Sequence, residues 1–341
     1  MTQHTTRRLV AAMLPCLTAL ALTAGLALPA AAADPIVIKF SHVAASNTPK
    51  GQAADYFKKL VEERTKGRVK VEVYANSSLF KDKEELEALQ MGTVQMLAPV
   101  PGKFGPLGVK EFEVFDLPYI FKDINAVHKF ANGPGGQGLL KKLEARGVVG
   151  LSYWDNGFRV MSANKQIHTP AEMKGLKMRI NSSKVNAAIM KSVGAQPQSL
   201  AFSEVYQALQ TGVVDGTEGP LSNLYTQKQY EVQKHVTLSY HTISNYVVVT
   251  NKKFWDGLPA DIRATLKQAM DEATAYNDTV AESDEADAIA AIKASGKSII
   301  YKPTAAEMQA WNKATAPVLD QMADRVGGKA FVESVRAASK D

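Results

Sequence analysis

Two arginines stand apart among the basic residues of this chain. Arg159 closes the run Trp154-Asp155-Asn156-Gly157-Phe158-Arg159, and Arg179 closes Lys174-Gly175-Leu176-Lys177-Met178-Arg179. Each ends a short strand-like segment that begins beside a glycine, a setting that sends a side chain into a cleft rather than along a charged helix face. A guanidinium is a planar fork of donors, suited to holding a carboxylate through two parallel hydrogen bonds. Two such forks converging would suit a small organic acid. The competing reading is a pair of ordinary surface charges, the usual fate of arginine.

Other chemistry finds little support. Gly133-Pro134-Gly135-Gly136-Gln137-Gly138 fits G-x-G-x-x-G literally, with Asp155 at the spacing of a ribose-binding acid. The segment before it, 124–130, reads as helix rather than strand, and Pro134 removes a backbone donor that a phosphate needs. The run is therefore read as a turn between helices. His42, His128, His168, His235 and His241 are scattered, with no H-E-x-x-H and no close metal-binding pair, so neither metal nor cofactor is expected. No G-x-S-x-G elbow or phosphate loop occurs. Glu62-Glu63 and Glu84-Glu85 read as solvated helix faces. With no nucleophile–base set, the chain is expected not to be an enzyme; a secreted hydrolase or isomerase is the remote alternative.

Aromatics and turns surround the two arginines. Trp154, Phe158 and Phe202 stand near strand ends or helix starts, where core packing is the common role. Ala201-Phe202-Ser203-Glu204 reads as a helix entry with Ser203 as its cap and free N–H groups for an anion. Asp215-Gly216-Thr217-Glu218-Gly219-Pro220 reads as a sharp turn after a strand, its glycines allowing backbone close to a ligand.

The start of the chain bears on its compartment. Arg7 and Arg8 precede an apolar run over 9–28, then Pro29 and alanines to Ala33. That is the order of a cleaved secretory signal peptide over 1–33, placing the mature protein in the periplasm. The only cysteine, Cys16, falls inside it, so the mature chain has no thiol or disulfide chemistry. Without the two leader arginines, 38 basic residues face 34 acidic ones, a net charge of +4. Runs such as Lys81-Asp82-Lys83-Glu84-Glu85 mix both signs, which reads as solvated surface and not a nucleic-acid stripe. The length exceeds one ordinary core and predicts two domains.

The elements that position these residues alternate in type. Residues 36–40 read as a strand, 49–65 as an amphipathic helix with Ala53, Ala54, Phe57, Leu60 and Val61 on one face, and 69–73 as a strand. A helix over 81–91 behind Asp82 follows, then strands at 148–153, 177–180 and 246–250, with helices over 183–193 and 202–211. Such alternation predicts parallel sheet covered by helices. After Pro259, to about Ser295, neither glycine nor proline intervenes, predicting one helix long enough to span two domains. No internal repeat and no linker is evident. Crossings between domains are expected near Asn156 and Ser244.

Taken in order, Gly157-Phe158-Arg159, the segment 173–179, the segment 201–216 and Asn251-Lys252-Lys253-Phe254-Trp255-Asp256-Gly257-Leu258-Pro259 resemble the solute-binding subunits of TRAP (tripartite ATP-independent periplasmic) transporters. The resemblance covers nearly the whole mature chain. Asn47-Thr48-Pro49-Lys50-Gly51 and the segment 78–84 are similar to the C4-dicarboxylate branch. The resemblance implies an α/β fold, a two-lobed periplasmic binding protein clamshell with a mixed β-sheet in each lobe and a long helix spanning both. The lobes expected are 34–156 with 245–284, and 157–244 with 285–341. It implies a monomer that encloses one organic acid, most simply succinate, fumarate or malate, and hands it to membrane permease subunits. A binder of aromatic or hydroxy/keto monocarboxylates is the alternative within this class, and a partner for a sensor is a third role.

By the same resemblance Arg179 is the main carboxylate anchor, Arg159 the second contact and Phe202 a ligand-packing ring. Gly219 replaces the asparagine of sialic-acid binders, and Asn245 replaces a glycine found before the tyrosine, here Tyr246. Lys50, Lys81, Lys103 and His241 are candidates for a second carboxylate. Phe80 and Trp154, with Phe202, are candidates for an apolar end. Asn156, Glu218 and Asn223 complete the expected ligand-binding set.

Overall fold

The computed structural model describes residues 34–340; the signal peptide expected over 1–33 lies outside them. Strands β1 (Ile36–Ser41) and β2 (Val69–Tyr74) pair in parallel around the helix Pro49–Arg64. That helix starts as its sequence dictates. Pro49 occupies the first turn, and the Thr48 hydroxyl accepts from the Gly51 N–H. Its predicted apolar face is buried throughout.

Strand β3 (Met96–Leu97) continues this sheet beside β1, and the antiparallel β9 (Ile243–Asn251) lies beside β3. All nine residues of β9 are buried, because both faces of the strand are covered. Val247 and Val249 enter one core, while Tyr246 and Val248 enter another on the opposite face. The central strand β4 (Val148–Ala163) runs antiparallel to β9 over most of its first half. It then changes partner. From Arg159 onward it pairs with β7 (Gly216–Pro220), and from Met161 also with β8 (His235–Thr237). Parallel strands β5 (Lys177–Ile180) and β6 (Gln196–Ser199) extend beyond β7, and β10 (Ile299–Tyr301) pairs with β8. Each half therefore carries a mixed sheet, and β4 belongs to both. The register slips between Asp155 and Phe158, where Gly157 has φ of 102°. A bulge with a left-handed glycine lets the strand turn from one sheet to the next.

The predicted long helix is present as Ala260–Ser295, 36 residues and so about 54 Å long. Ile262, Leu266, Met270 and Ala273 pack in the core under β1 and β9, whereas Ala288 and Ile292 pack with Val160, Leu221 and Val236. Helices Ala305–Thr315 and Pro317–Met322 lie against the helix Lys184–Ser192 side of the second sheet. The tail beyond them turns back: Arg325 pairs with Glu113, and Phe331 packs edge-on against Phe130.

Several local expectations are corrected. The helix expected over 81–91 is only Glu85–Gln90, because Asp82 is buried against Lys103 instead of capping it. The supposed turn 215–220 is strand β7, whose glycines sit within the ladder. Ser203 makes no cap; the chain enters that helix through a 3₁₀ turn after Ala201. The strand expected over 148–153 runs ten residues further than its apolar pattern suggests. A short internal correspondence also emerges. Ala88-Leu89-Gln90 and Ala208-Leu209-Gln210 each end a short helix, followed by Gly92 or Gly212 at φ 77° and 72° and then a strand. The glycine run 133–138 is, as expected, a junction between helices Ile124–Asn132 and Pro134–Lys142.

Candidate functional site

A cleft with about 650 Å³ of atom-free space, mouth included, opens where β4 passes between the sheets. Arg159, Arg179, Phe202, Glu218, Gly219, Asn223, Lys50 and Lys103 all line it, eight of the twelve residues expected from sequence. The geometry assigns them unequal parts.

Arg159 sits on β4 opposite Pro220 of β7, which places Glu218 two residues away on the adjacent strand. Its Nη1 donates to Glu218 Oε2 at 2.7 Å, and both side chains are buried. Burial opposes the Arg159 charge, but Glu218 and the nearby Asp116 outweigh it and hold the guanidinium above its ordinary range. Arg159 thus carries a resident counter-ion.

Arg179 does not. Its position on β5 leaves it 5% exposed, and no carboxylate pairs with it among the described residues. Nε and Nη2 donate to the Leu200 carbonyl at 3.2 and 2.9 Å, and the guanidinium lies 5.6 Å from the centre of the Phe202 ring. Burial, and secondarily Arg159, pull Arg179 below the ordinary guanidinium range although Glu218 and Asp82 oppose this. A guanidinium has five N–H donors. Those spent on Leu200 lie along one edge, so the Nη1–Nη2 end keeps the geometry of a fork.

The remaining lining forms a second charged pole. Lys103 Nζ bonds to Asp82 Oδ2 at 2.7 Å and to the Asp82 carbonyl. Lys50 is fully buried; its Nζ donates to the Ala98 carbonyl at 3.1 Å and lies 3.6 Å from the centre of the Tyr246 ring. Glu85, 1% exposed, completes the group. Burial pulls Lys50 down and pushes Glu85 up, each effect reduced by the opposite charges alongside. Sequence reasoning missed Asp82, Glu85 and Tyr246. A signal was available: Lys50 stands one helical turn before Ala53 and Ala54, and Glu85 one turn before Ala88 and Leu89, charges at apolar-face positions.

Four expected residues do not line the cleft. Trp154 is fully buried in the core beside Phe40, its Nε1 donating to the Thr274 hydroxyl. Phe80 is half-buried against the other core. His241 is enclosed behind β9 with its Nδ1 on the Ser239 hydroxyl; burial lowers it to about 4, so it is neutral and supplies no cation. Asn156 acts one step back, donating to the Tyr246 hydroxyl at 2.7 Å. Lys81, also considered, is exposed and pairs with Glu204 at 3.2 Å. Of the two departures noted in sequence, a Cβ at Gly219 would meet nothing within 4 Å, leaving room in the cleft, while Asn245 is buried beside Asp155.

Residues 40–325 match the family described as bacterial extracellular solute-binding protein, family 7. The chain is similar to the C4-dicarboxylate-binding periplasmic protein DctP of Rhodobacter capsulatus, 55% identical over 336 residues that cover 98% of this chain and 99% of the other. Its fold is similar to a TRAP periplasmic solute-binding protein of Shewanella oneidensis solved with bound succinate, at 44% identity and a TM-score of 0.88, covering 90% of this chain and all of that one. It is also similar to such a protein from Pseudomonas aeruginosa with bound L-malate, at 41% identity and a TM-score of 0.82, covering 84% of this chain and all of that one.

Proposed function

This chain belongs to bacterial extracellular solute-binding protein family 7, the solute-binding subunits of TRAP transporters, and from that membership we propose that it captures a C4-dicarboxylate such as succinate, fumarate or malate in the periplasm and delivers it to a membrane permease. The observation that carries the reading is Arg179, a buried cation without a carboxylate partner on the wall of a cleft. An uncompensated buried charge is costly. A ligand carboxylate on its Nη1–Nη2 end supplies the missing counter-ion.

The second carboxylate has a place at the opposite pole, where Lys50 and Lys103 line the same cleft. Arg159, already neutralised by Glu218, and Lys103, likewise paired with Asp82, shape and steady the site more than they attract charge, which leaves Lys50 as the main cation of that pole. An aromatic acid is the weaker reading, since Phe80 and Trp154 lie outside the cleft and only Phe202 and Tyr246 remain as rings along it. Binding closes the lobes because these contacts join residues of both lobes and are lost on opening. We divide the lobes at Gly157 and Ser244, with 34–156 and 245–284 on one side and 157–244 and 285–322 on the other; the tail beyond follows the 104–132 segment it packs on. The role is carriage by a monomer, without catalysis.

A calorimetric panel tests the reading. Succinate, fumarate and L-malate are expected to bind one per chain, and benzoate and galactonate far more weakly. Equal or tighter binding of the monocarboxylates would overturn the dicarboxylate assignment.

A further inference from the structure

We propose that the rear of strand β4, on the face turned away from the cleft, carries a site for one divalent transition-metal ion held by His128, Asp155 and Asp278. Side chains alternate along a strand. Asn156 accordingly faces Tyr246, which lines the cleft, while Asp155 faces a separate groove that shares no lining residue with the cleft. The helix Ile124–Asn132 brings His128 there, and the long helix brings Asp278.

One imidazole nitrogen and two carboxylate oxygens from these residues lie within 4.8 Å of one another. Mixed nitrogen and oxygen donors of this kind suit zinc, nickel or iron(II) better than magnesium or calcium. Donors around a tetrahedral ion with bonds of 2.0–2.2 Å stand about 3.4 Å apart. His128 Nε2 and Asp155, now hydrogen-bonded, would separate slightly, and Asp278, 3.9 Å from His128 Nε2, would close in. His128 and Asp278 are each about one-third exposed, which leaves them free to make that adjustment and leaves the ion open to water on the groove side. Asp155 is held ready. Asn277 on the long helix accepts from its N–H at 2.6 Å and donates to its carbonyl at 3.3 Å. Asp123, Glu282 and Glu285 line the same groove and give it a negative field that favours cations, with Lys122 opposing.

The test is titration of chelator-treated protein with cobalt(II), followed by visible absorption, and with zinc by calorimetry. One ion per chain at micromolar or tighter affinity is expected. His128→Ala and Asp278→Asn should each weaken it by at least about tenfold, since even outer-sphere changes at metal sites cost 10–100-fold. Circular dichroism and a thermal melt verify folding, and Asp278→Asn, a nearly isosteric change on a side chain 38% exposed, serves if His128→Ala folds poorly. No binding at millimolar zinc, or binding unchanged in the folded variants, overturns the site.

Discussion

Replacing Arg179 by alanine probes the anchor directly. This guanidinium is buried, spends two N–H donors on Leu200 and pairs with no carboxylate among the described residues. A ligand carboxylate gains two charge-assisted hydrogen bonds from the remaining fork, each contributing about 1.5–3 kcal/mol. Removing one partner of such a desolvated pair costs about 2–5 kcal/mol. Succinate affinity should therefore fall by roughly 30-fold to several thousand-fold. The unliganded fold should change by no more than about 2 kcal/mol, because relief of the buried charge offsets the lost Leu200 bonds. Calorimetry measures the affinity, and urea denaturation without ligand measures the fold. Arg179→Lys should fail almost as badly, since a point charge lacks the fork. Succinate affinity within about threefold of the parent, in a folded Arg179→Ala protein, would refute the reasoning.

The other sites respond differently. Glu218→Ala leaves Arg159 buried without its partner and should destabilise the unliganded protein by about 3–5 kcal/mol in urea denaturation, the reverse of the Arg179 pattern. Lys50→Met removes a charge from the second pole while filling its space; calorimetry should show weaker succinate binding with little change for a short monocarboxylate, and an equal loss for both would exclude a second-carboxylate role. Burial holds His241 at about 4 in the folded protein against 6.5 unfolded, so the unfolded state binds the proton first on acidification. Its stabilising contribution is complete above the unfolded value and is lost as pH falls from 6.5 towards 4. His241→Gln should therefore reduce the loss of stability between pH 7 and pH 5 by about 2 kcal/mol relative to the parent, read from urea denaturation at both pH values.

Much of this protein was legible in its sequence, since the signals were periodic or stereochemical. The helix Pro49–Arg64 declared its apolar face, the 36-residue helix declared itself by lacking breakers, and the two arginines stood in recognisable motifs. What sequence could not give was the company each charge keeps. Arg159 and Arg179 read alike in the chain, yet only strand pairing decides that β7 sets Glu218 in an ion pair with one and leaves the other without a paired carboxylate among the described residues. Trp154 and Phe202 read alike as aromatics beside the motif, yet side-chain alternation along β4 turns the first into a core beside Phe40, and the 3₁₀ turn that follows β6 leaves the second at the cleft. His128, Asp155 and Asp278 gave no metal spacing, and only the packing of two helices against β4 joins them. Local sequence fixes backbone preference and which face is apolar, because those depend on near neighbours. Electrostatic partnership and burial depend on residues distant along the chain, 59 positions for Arg159 and Glu218, so the tertiary structure decides them.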